Sequence, residues 1–219
     1  MANTQTYFIY NDDAVSTLKK QDKTLGAYIK KVGHLQRATN TDIFSALIDS
    51  IISQQISNAA AKTVYGRFCE LVGDITPVAI YNTPTESIQK CGMSMRKATY
   101  IKSAAISTLL GTPRYGIVPV VEESFAPINI DDLQNLTDLE IIKALSSLRG
   151  VGKWTAQMLM IFSLNRMDVI SYDDLAIRRG MKILYGMENE PTKQEFATIA
   201  KNYAPFSSVA SLYLWELSH

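Results

Sequence analysis

The chain has 219 residues, enough for one domain with a sizeable core or two small lobes, and its 47% hydrophobic and 20% charged residues are ordinary for a globular protein. No apolar run approaches the ~20 residues that span a bilayer, and MANTQTYFIYNDD lacks the basic flank and apolar core of a signal peptide. Cys69 and Cys91, without C-x-x-C spacing, argue against a disulfide framework, a zinc site or an iron–sulfur cluster, and 22 Lys+Arg against 21 Asp+Glu give a net charge of +1 that does not announce nucleic acid.

From Thr6 to Leu35, Ala14 and Leu18, then Leu25, Tyr28, Ile29 and Val32, suggest two short helices meeting around Asp22–Thr24. His34 reads as a packing or hydrogen-bonding histidine. Thr41 reads as the N-cap of a strongly amphipathic helix with Ile43, Leu47, Ile48, Ile51 and Ile52 on one face. That helix ends in Ser53-Gln54-Gln55-Ile56-Ser57, and another follows through Ala60, Val64 and Phe68 to Leu71. On its residues alone, the polar break could be a plain connector with caps. Asp74–Thr85, with Pro77 and Pro84, is turn-rich around a short helix. Gly92-Met93-Ser94-Met95-Arg96-Lys97-Ala98 opens a helix to about Leu110, which Gly111 and Pro113 stop. Thr112–Asn129 is the longest irregular stretch, and loops of that length are usually functional or mobile. Strand signals are confined to Ile117–Val121, so an all-α architecture is expected.

Thr137-Asp138-Leu139-Glu140 reads as a capping box that starts a helix reaching about Leu148. Gly150 and Gly152 then bracket Val151, a pattern suited to a very tight turn because glycine takes positive φ without steric cost. Trp154, Met158, Ile161 and Phe162 recur at helical spacing, so the reading is helix, hairpin, helix. Small residues let the backbone approach a partner, and the second helix begins with outward N–H groups, an anion site suited to a DNA phosphate. Such turns also join ordinary packed helices. Positive residues cluster as Arg96, Lys97 and Lys102, as Arg149 and Lys153, and as Arg178, Arg179 and Lys182. Local patches can hold phosphates because these contacts act at short range in salt, although a solvated helix face is the commoner fate of any one of them.

The run LRGVGKWTAQMLMIFSLNRMDVISYDDLAIRR, Leu148 to Arg179, carries a specific resemblance. Leu148, Gly150, Val151, Gly152, Trp154, Thr155 and Ala156, then Asp168, Val169, Asp173, Asp174, Leu175, Ile177, Arg178 and Gly180, match in order the helix-hairpin-helix (HhH-GPD) superfamily of DNA glycosylases. The chain most closely resembles its alkylation-repair branch, the 3-methyladenine DNA glycosylase II type, over roughly residues 40 to 215. The resemblance implies two helical lobes with an inter-lobe cleft that holds a flipped base. Residues 40–163 would form a central lobe ending in the hairpin at 148–154, and 1–39 with 164–219 the second.

Cleavage of an N-glycosidic bond builds positive charge on the sugar, and an ionised carboxylate nearby stabilises it and can orient water. By match to the family Asp174 is the catalytic acid, while Asp173 is expected to be the structural acid that caps the helix. Related bifunctional enzymes carry a lysine where Trp154 stands; an indole cannot form a Schiff base, so hydrolysis without lyase activity is implied. Trp154 can stack on a base and favour a cationic one such as 3-methyladenine or 7-methylguanine, although tryptophan at helical spacing is commonly a core residue. Tyr172, Tyr203 and Phe206 are the other expected walls of the base pocket. The last two belong to Y-A-P-F-S-S-V-A, which resembles the family's W-x-P-W/Y-R-S-x-A helix start, with Ser207 in place of the usual arginine. The resemblance makes Gln55 the plug for the vacated stack, supported by Gln54 and Ser57. Gly150, Gly152, Lys153, Thr155 and Arg178 complete the expected DNA-binding set, and Gly92–Ala98 resembles the family's G-x-S-x-x-K-A element.

The implied activity is excision of alkylated purines from duplex DNA in base excision repair. The partner would be double-stranded DNA containing alkylated bases, with no membrane, and the protein a monomer. No cofactor is expected beyond a monovalent cation that the hairpin could hold. A soluble cytoplasmic protein is expected, nucleoid-associated if bacterial and nuclear if eukaryotic. Two alternatives stay open: a glycosylase of the same fold for deaminated or oxidised bases, and a non-catalytic helix-hairpin-helix module. The joint presence of Asp174 and Trp154 argues against the second, since binding needs neither.

Overall fold

Helical periodicity becomes twelve α-helices among the described residues, 6–120 and 124–218, of the computed structural model. The chain forms two units, one running up to Thr39 and resuming at Met160, the other spanning Asn40–Leu159. The first opens with β1 (Thr6–Tyr7), α1 (Asp12–Gln21), α2 (Lys23–Val32) and β2 (Ala38–Thr39), the two strands pairing antiparallel. The second holds α3 (Ile43–Ser53), α4 (Asn58–Val72), α5 (Pro77–Asn82), α6 (Thr85–Gln89), α7 (Met95–Gly111), α8 (Asp138–Ser146) and most of α9 (Lys153–Phe162). The chain then returns to the first unit as α10 (Leu175–Tyr185), α11 (Lys193–Ala200) and α12 (Ser207–Leu217). No helix of the described residues is long and apolar enough to cross a membrane.

In the first unit a single acid joins two helices. Asp22 accepts from Leu25 N at 2.8 Å, capping α2, while its own N–H closes α1 on Leu18 O at 2.9 Å. Its second carboxylate oxygen accepts from the Tyr185 hydroxyl at 2.6 Å, and Tyr185 and Tyr203 share a hydrogen bond of 2.8 Å. Burial pushes both phenols well above their ordinary pKa. Gly180 lets α10 lie directly on α12, since a Cβ there would come within 2.0 Å of Leu214 O. Leu18, Leu25, Ile177, Met181, Val209 and Leu212 fill the core around these groups. His34 stacks on Tyr10, ring centroids 4.3 Å apart, in the packing role its isolation suggested.

In the second unit α3 buries Phe44, Leu47, Ile48, Ile51 and Ile52, each worth about 1.5–3 kcal/mol when fully withdrawn from water. Its cap is Asp42, accepting from Ser45 N at 3.0 Å, and not Thr41. The capping box Thr137/Glu140 forms at the start of α8. Two of the clustered lysines serve the fold rather than a phosphate. Lys97 Nζ donates to Ile52 O at 2.7 Å and Gln54 O at 2.5 Å, closing the end of α3, and Lys102 Nζ donates to Ile80 O, Tyr81 O and Thr83 O at the end of α5. Both ammonium groups satisfy orphan carbonyls at helix C-termini, and desolvation holds both pKa values below the usual lysine range.

The long irregular stretch is tied at its base. Ile128 N donates to Ser107 O at 2.9 Å, Thr112 Oγ1 to Ile128 O at 3.1 Å, and Arg114 pairs with Asp131 at 3.1 Å. Residues 117–120 are irregular, and Val121 lies outside the described residues, so the expected strand is absent over 117–120. Val118 and Val120 are exposed there; β propensity without a neighbouring edge makes no strand.

Candidate active site

The hairpin between α8 and α9 closes through Val151 N donating to Leu148 O at 3.1 Å. Gly150 has φ +82°, and a Cβ on it would stand 2.1 Å from the Tyr100 ring, so both conformation and space demand glycine. Its carbonyl accepts from Gln54 Nε2 at 2.9 Å, fastening the hairpin to the turn after α3. Gly152 differs from the expectation. Its φ is not positive and no atom lies within 4 Å of where its Cβ would be. Its carbonyl begins α9 by accepting from Ala156 N at 3.0 Å. Gly152 and Lys153 are both exposed. Nothing inside the unit requires Gly152 to lack a side chain, whereas a partner backbone pressed against the helix start would.

The turn between α3 and α4 separates its expected residues into different jobs. Gln54 is half-buried and holds the hairpin, with its carbonyl held in turn by Lys97. Ser57 caps α4, its Oγ accepting from Ala60 N at 3.3 Å. Both therefore help to build the turn that carries Gln55. Gln55 is presented outward, exposed and at φ +57°, a conformation costing a non-glycine residue about 1–3 kcal/mol.

Beside this turn lies a hollow of about 560 Å³, wholly within the second unit. One wall is Asp49, Ser50 and Ser53 of α3, the next Gln54 and Gln55, and the floor Gly150 with Trp154, Thr155 and Met158 of α9. Trp154 is 42% exposed, so it is not a core tryptophan. Thr155 is buried and lines the hollow as part of its scaffold. Asp49 went unnoticed in the sequence, although it sits between Ser45 and Ser53 at i ± 4 on the polar side of α3. Ser53 Oγ donates to it at 3.4 Å, and desolvation pushes its carboxyl above the usual range. A second hollow of about 220 Å³, lined by Gly92, Met93, Ser94 and Lys97, shares Gln54 and Gln55 with the first. A larger one, about 650 Å³, is lined instead by Thr41, Arg114 and Asp131, and carries none of the expected residues.

The remaining residues lie in the first unit. Asp174, 7% exposed, is the N-cap of α10, its Oδ1 accepting from Ile177 N at 3.0 Å. Asp173 is exposed and does not cap, which reverses the expected structural assignment of the two acids. Tyr172 is half-buried, edge-on to Phe196 with centroids 5.3 Å apart, and lies under the Arg178 guanidinium at 5.2 Å. Arg178 also pairs with Glu190 at 3.0 Å and donates to Tyr172 O at 2.6 Å, so it is tied inside its own unit. Tyr203 is fully buried with its hydroxyl on Tyr185, which removes it from any base pocket. Phe206 is half-buried. Ser207, in the place of the resembled motif's usual arginine, donates through Oγ to Asp168 Oδ1, and its backbone N–H reaches the same oxygen at 3.3 Å. Asp168 thereby places a carboxylate at the start of α12, where the helix dipole favours it.

The profile of the family described as HhH-GPD superfamily base excision DNA repair protein matches residues 48–205. The DNA-3-methyladenine glycosylase 1 of Schizosaccharomyces pombe is 35% identical over 178 residues, covering 80% of this chain and 72% of that protein. The crystal structure of a Bacillus halodurans DNA-3-methyladenine glycosidase superposes with a TM-score of 0.81 at 32% identity, covering 97% of this chain and 92% of the other. A Schizosaccharomyces pombe 3-methyladenine DNA glycosylase in complex with abasic DNA gives 0.75 at 32% identity, covering 93% and 95%.

Proposed function

Because this chain belongs to the HhH-GPD superfamily of base excision DNA repair proteins, we propose that it is a monofunctional DNA glycosylase excising alkylated purines from duplex DNA. The observation that carries the reading is Trp154, an exposed indole on the wall of a 560 Å³ hollow beside the hairpin. An aromatic face attracts a cation, and purines alkylated at N3 or N7 are cationic while still bonded to the sugar. The same positive charge makes them good leaving groups, which lessens the need for a general acid. The target nucleotide must leave the stack before its bond can break, at a cost of a few kcal/mol. Gln55, exposed at positive φ at the lip of the hollow, is suited to fill the gap and hydrogen-bond the orphaned partner base. The hairpin start, with exposed Gly152 and Lys153, supports binding of a phosphate.

As the glycosidic bond lengthens, charge develops on the deoxyribose, and the Asp174 carboxylate is the group assigned to stabilise it and guide water to the anomeric carbon. An indole offers no amine for a Schiff base, so the expected product is an intact abasic strand. The relatives named above as 3-methyladenine glycosylases support the alkylated-base range. The test is incubation with methylated duplex DNA. Free 3-methyladenine and 7-methylguanine should appear, the strand should stay unbroken, and borohydride should trap no protein–DNA adduct. Absence of base release refutes the reading, and a trapped adduct refutes its monofunctional part.

A further inference from the structure

Resting on that reading of the hollow, we infer that Asp49 is a specificity-determining residue whose carboxylate, with the face of Trp154, selects cationic bases over neutral ones. Asp49 lines the same hollow as Trp154 and Met158. The opposite face of α3 is the apolar one, carrying Phe44, Leu47, Ile48, Ile51 and Ile52, so Asp49 has no part in that core. Its hydrogen bond from Ser53 is long at 3.4 Å, and among the described residues no lysine or arginine forms a salt bridge with it. Partial desolvation raises its carboxyl, opposed only by the hydrogen bond from Ser53. Asp49 is exposed to solvent on the wall of the hollow, so it is open to a ligand, and a carboxylate there with no salt bridge among the described residues is complemented by a cation in the ligand.

The pairing follows from the chemistry of the base. An alkylated purine such as 7-methylguanine carries a delocalised positive charge and N–H donors at the ring edge. The indole can take the ring face and Asp49 the edge. A neutral purine gains the stacking but not the ion pairing, so Asp49 acts on the difference between the two classes. A hydrogen bond to a charged group corresponds to a loss of about 10- to 100-fold when the charge is removed.

Asp49→Asn keeps shape and removes the charge. Trp fluorescence of the intact protein should be titrated with 7-methylguanosine, in mildly acidic buffer where its ring is cationic, and with guanosine as the neutral probe. The wild type should prefer the cation, and Asp49→Asn should lose that preference by about 10- to 100-fold with guanosine binding and melting temperature unchanged. Excision of 7-methylguanine from duplex DNA should fall by a similar factor. An unchanged preference, no preference in the wild type, or an equal loss for both nucleosides overturns the inference. A wild type that prefers the cationic nucleoside through Asp49 but releases no base from DNA upholds the cation site and overturns the glycosylase reading instead.

Discussion

The two hairpin glycines can be told apart by their alanine variants. At Gly150 an added Cβ meets the Tyr100 ring at 2.1 Å while the backbone stays at φ +82°. The conformational strain is about 1–2 kcal/mol, and forcing atoms into a filled site adds typically about 1–3. Reduced freedom of the unfolded chain returns only about 0.4–1 kcal/mol. A net loss of roughly 1–5 kcal/mol should lower Tm by about 2–20 °C in a chain of this size. At Gly152 neither penalty exists, because φ is not positive and nothing lies within 4 Å. Gly152→Ala should melt at or slightly above the wild type, yet bind DNA more weakly if a phosphate approaches the start of α9. Loss of one charge-assisted N–H contact corresponds to about 1.5–3 kcal/mol, or about 10- to 100-fold in Kd. Differential scanning fluorimetry and fluorescence anisotropy on a duplex containing an abasic analogue measure both quantities. If Gly152→Ala binds that duplex as the wild type does, the hairpin is a packing turn and the phosphate argument is wrong. If Gly150→Ala melts normally, the steric argument is wrong.

Gln55→Gly should keep or raise Tm by relieving the φ +57° conformation, while excision from matched duplexes falls and recovers partly opposite a mismatch, where extrusion costs less. Tyr185→Phe should cost about 1–3 kcal/mol in a denaturant titration, because the buried Asp22 carboxylate and Tyr203 hydroxyl lose a partner. The raised pKa values of Tyr185 and Tyr203 mean that the folded state holds protons the unfolded state releases. Stability should therefore be flat below the ordinary phenol value of about 10 and decline as pH rises above it, checked by Tm against phenolate absorbance. Asp174→Asn should lose base release by orders of magnitude at nearly unchanged Tm, since Asn caps a helix as well as Asp, and Asp173→Asn should change neither.

Much of this was legible in the residues, and the failures have particular causes. Period-3.6 patterning located the helices, and the Thr137/Glu140 capping box formed as read. The pairing of Thr6–Tyr7 with Ala38–Thr39 was invisible because two residues carry no periodicity. Lys97 and Lys102 looked like surface cations since charge runs show no destination; a four-carbon stem let Lys97 reach carbonyls 45 residues away in the chain. Tyr203 matched an aromatic position, but a match does not tell which way a side chain points, and a buried hydroxyl network claims this one. Asp173 does not cap because α10 starts at Leu175, one residue later than an Asp173 cap requires. Asp49 was overlooked because a single acid on the polar side of an amphipathic helix is what any solvated face carries.

The assignment of Asp174 as a cap does not compete with its role in the proposed reaction. A carboxylate that stabilises a developing cation must be held at a fixed place before the charge appears, so that no reorganisation is needed as the bond lengthens. The 3.0 Å bond from Ile177 N fixes the side chain in one rotamer, and the start of α10 supplies a dipole that favours negative charge there. The cation one turn along the same helix, Arg178, would oppose this by neutralising the acid. It is instead directed to Glu190 at 3.0 Å and to the carbonyl of Tyr172 at 2.6 Å, with its guanidinium carbon 5.2 Å from the centre of the Tyr172 ring. The sequence Tyr-Asp-Asp-Leu-Ala-Ile-Arg thus gives the arginine a local carbonyl, an aromatic face and a remote glutamate as partners. A cap that orients the carboxylate and an arginine engaged elsewhere are both what a preorganised anion beside a sugar cation requires.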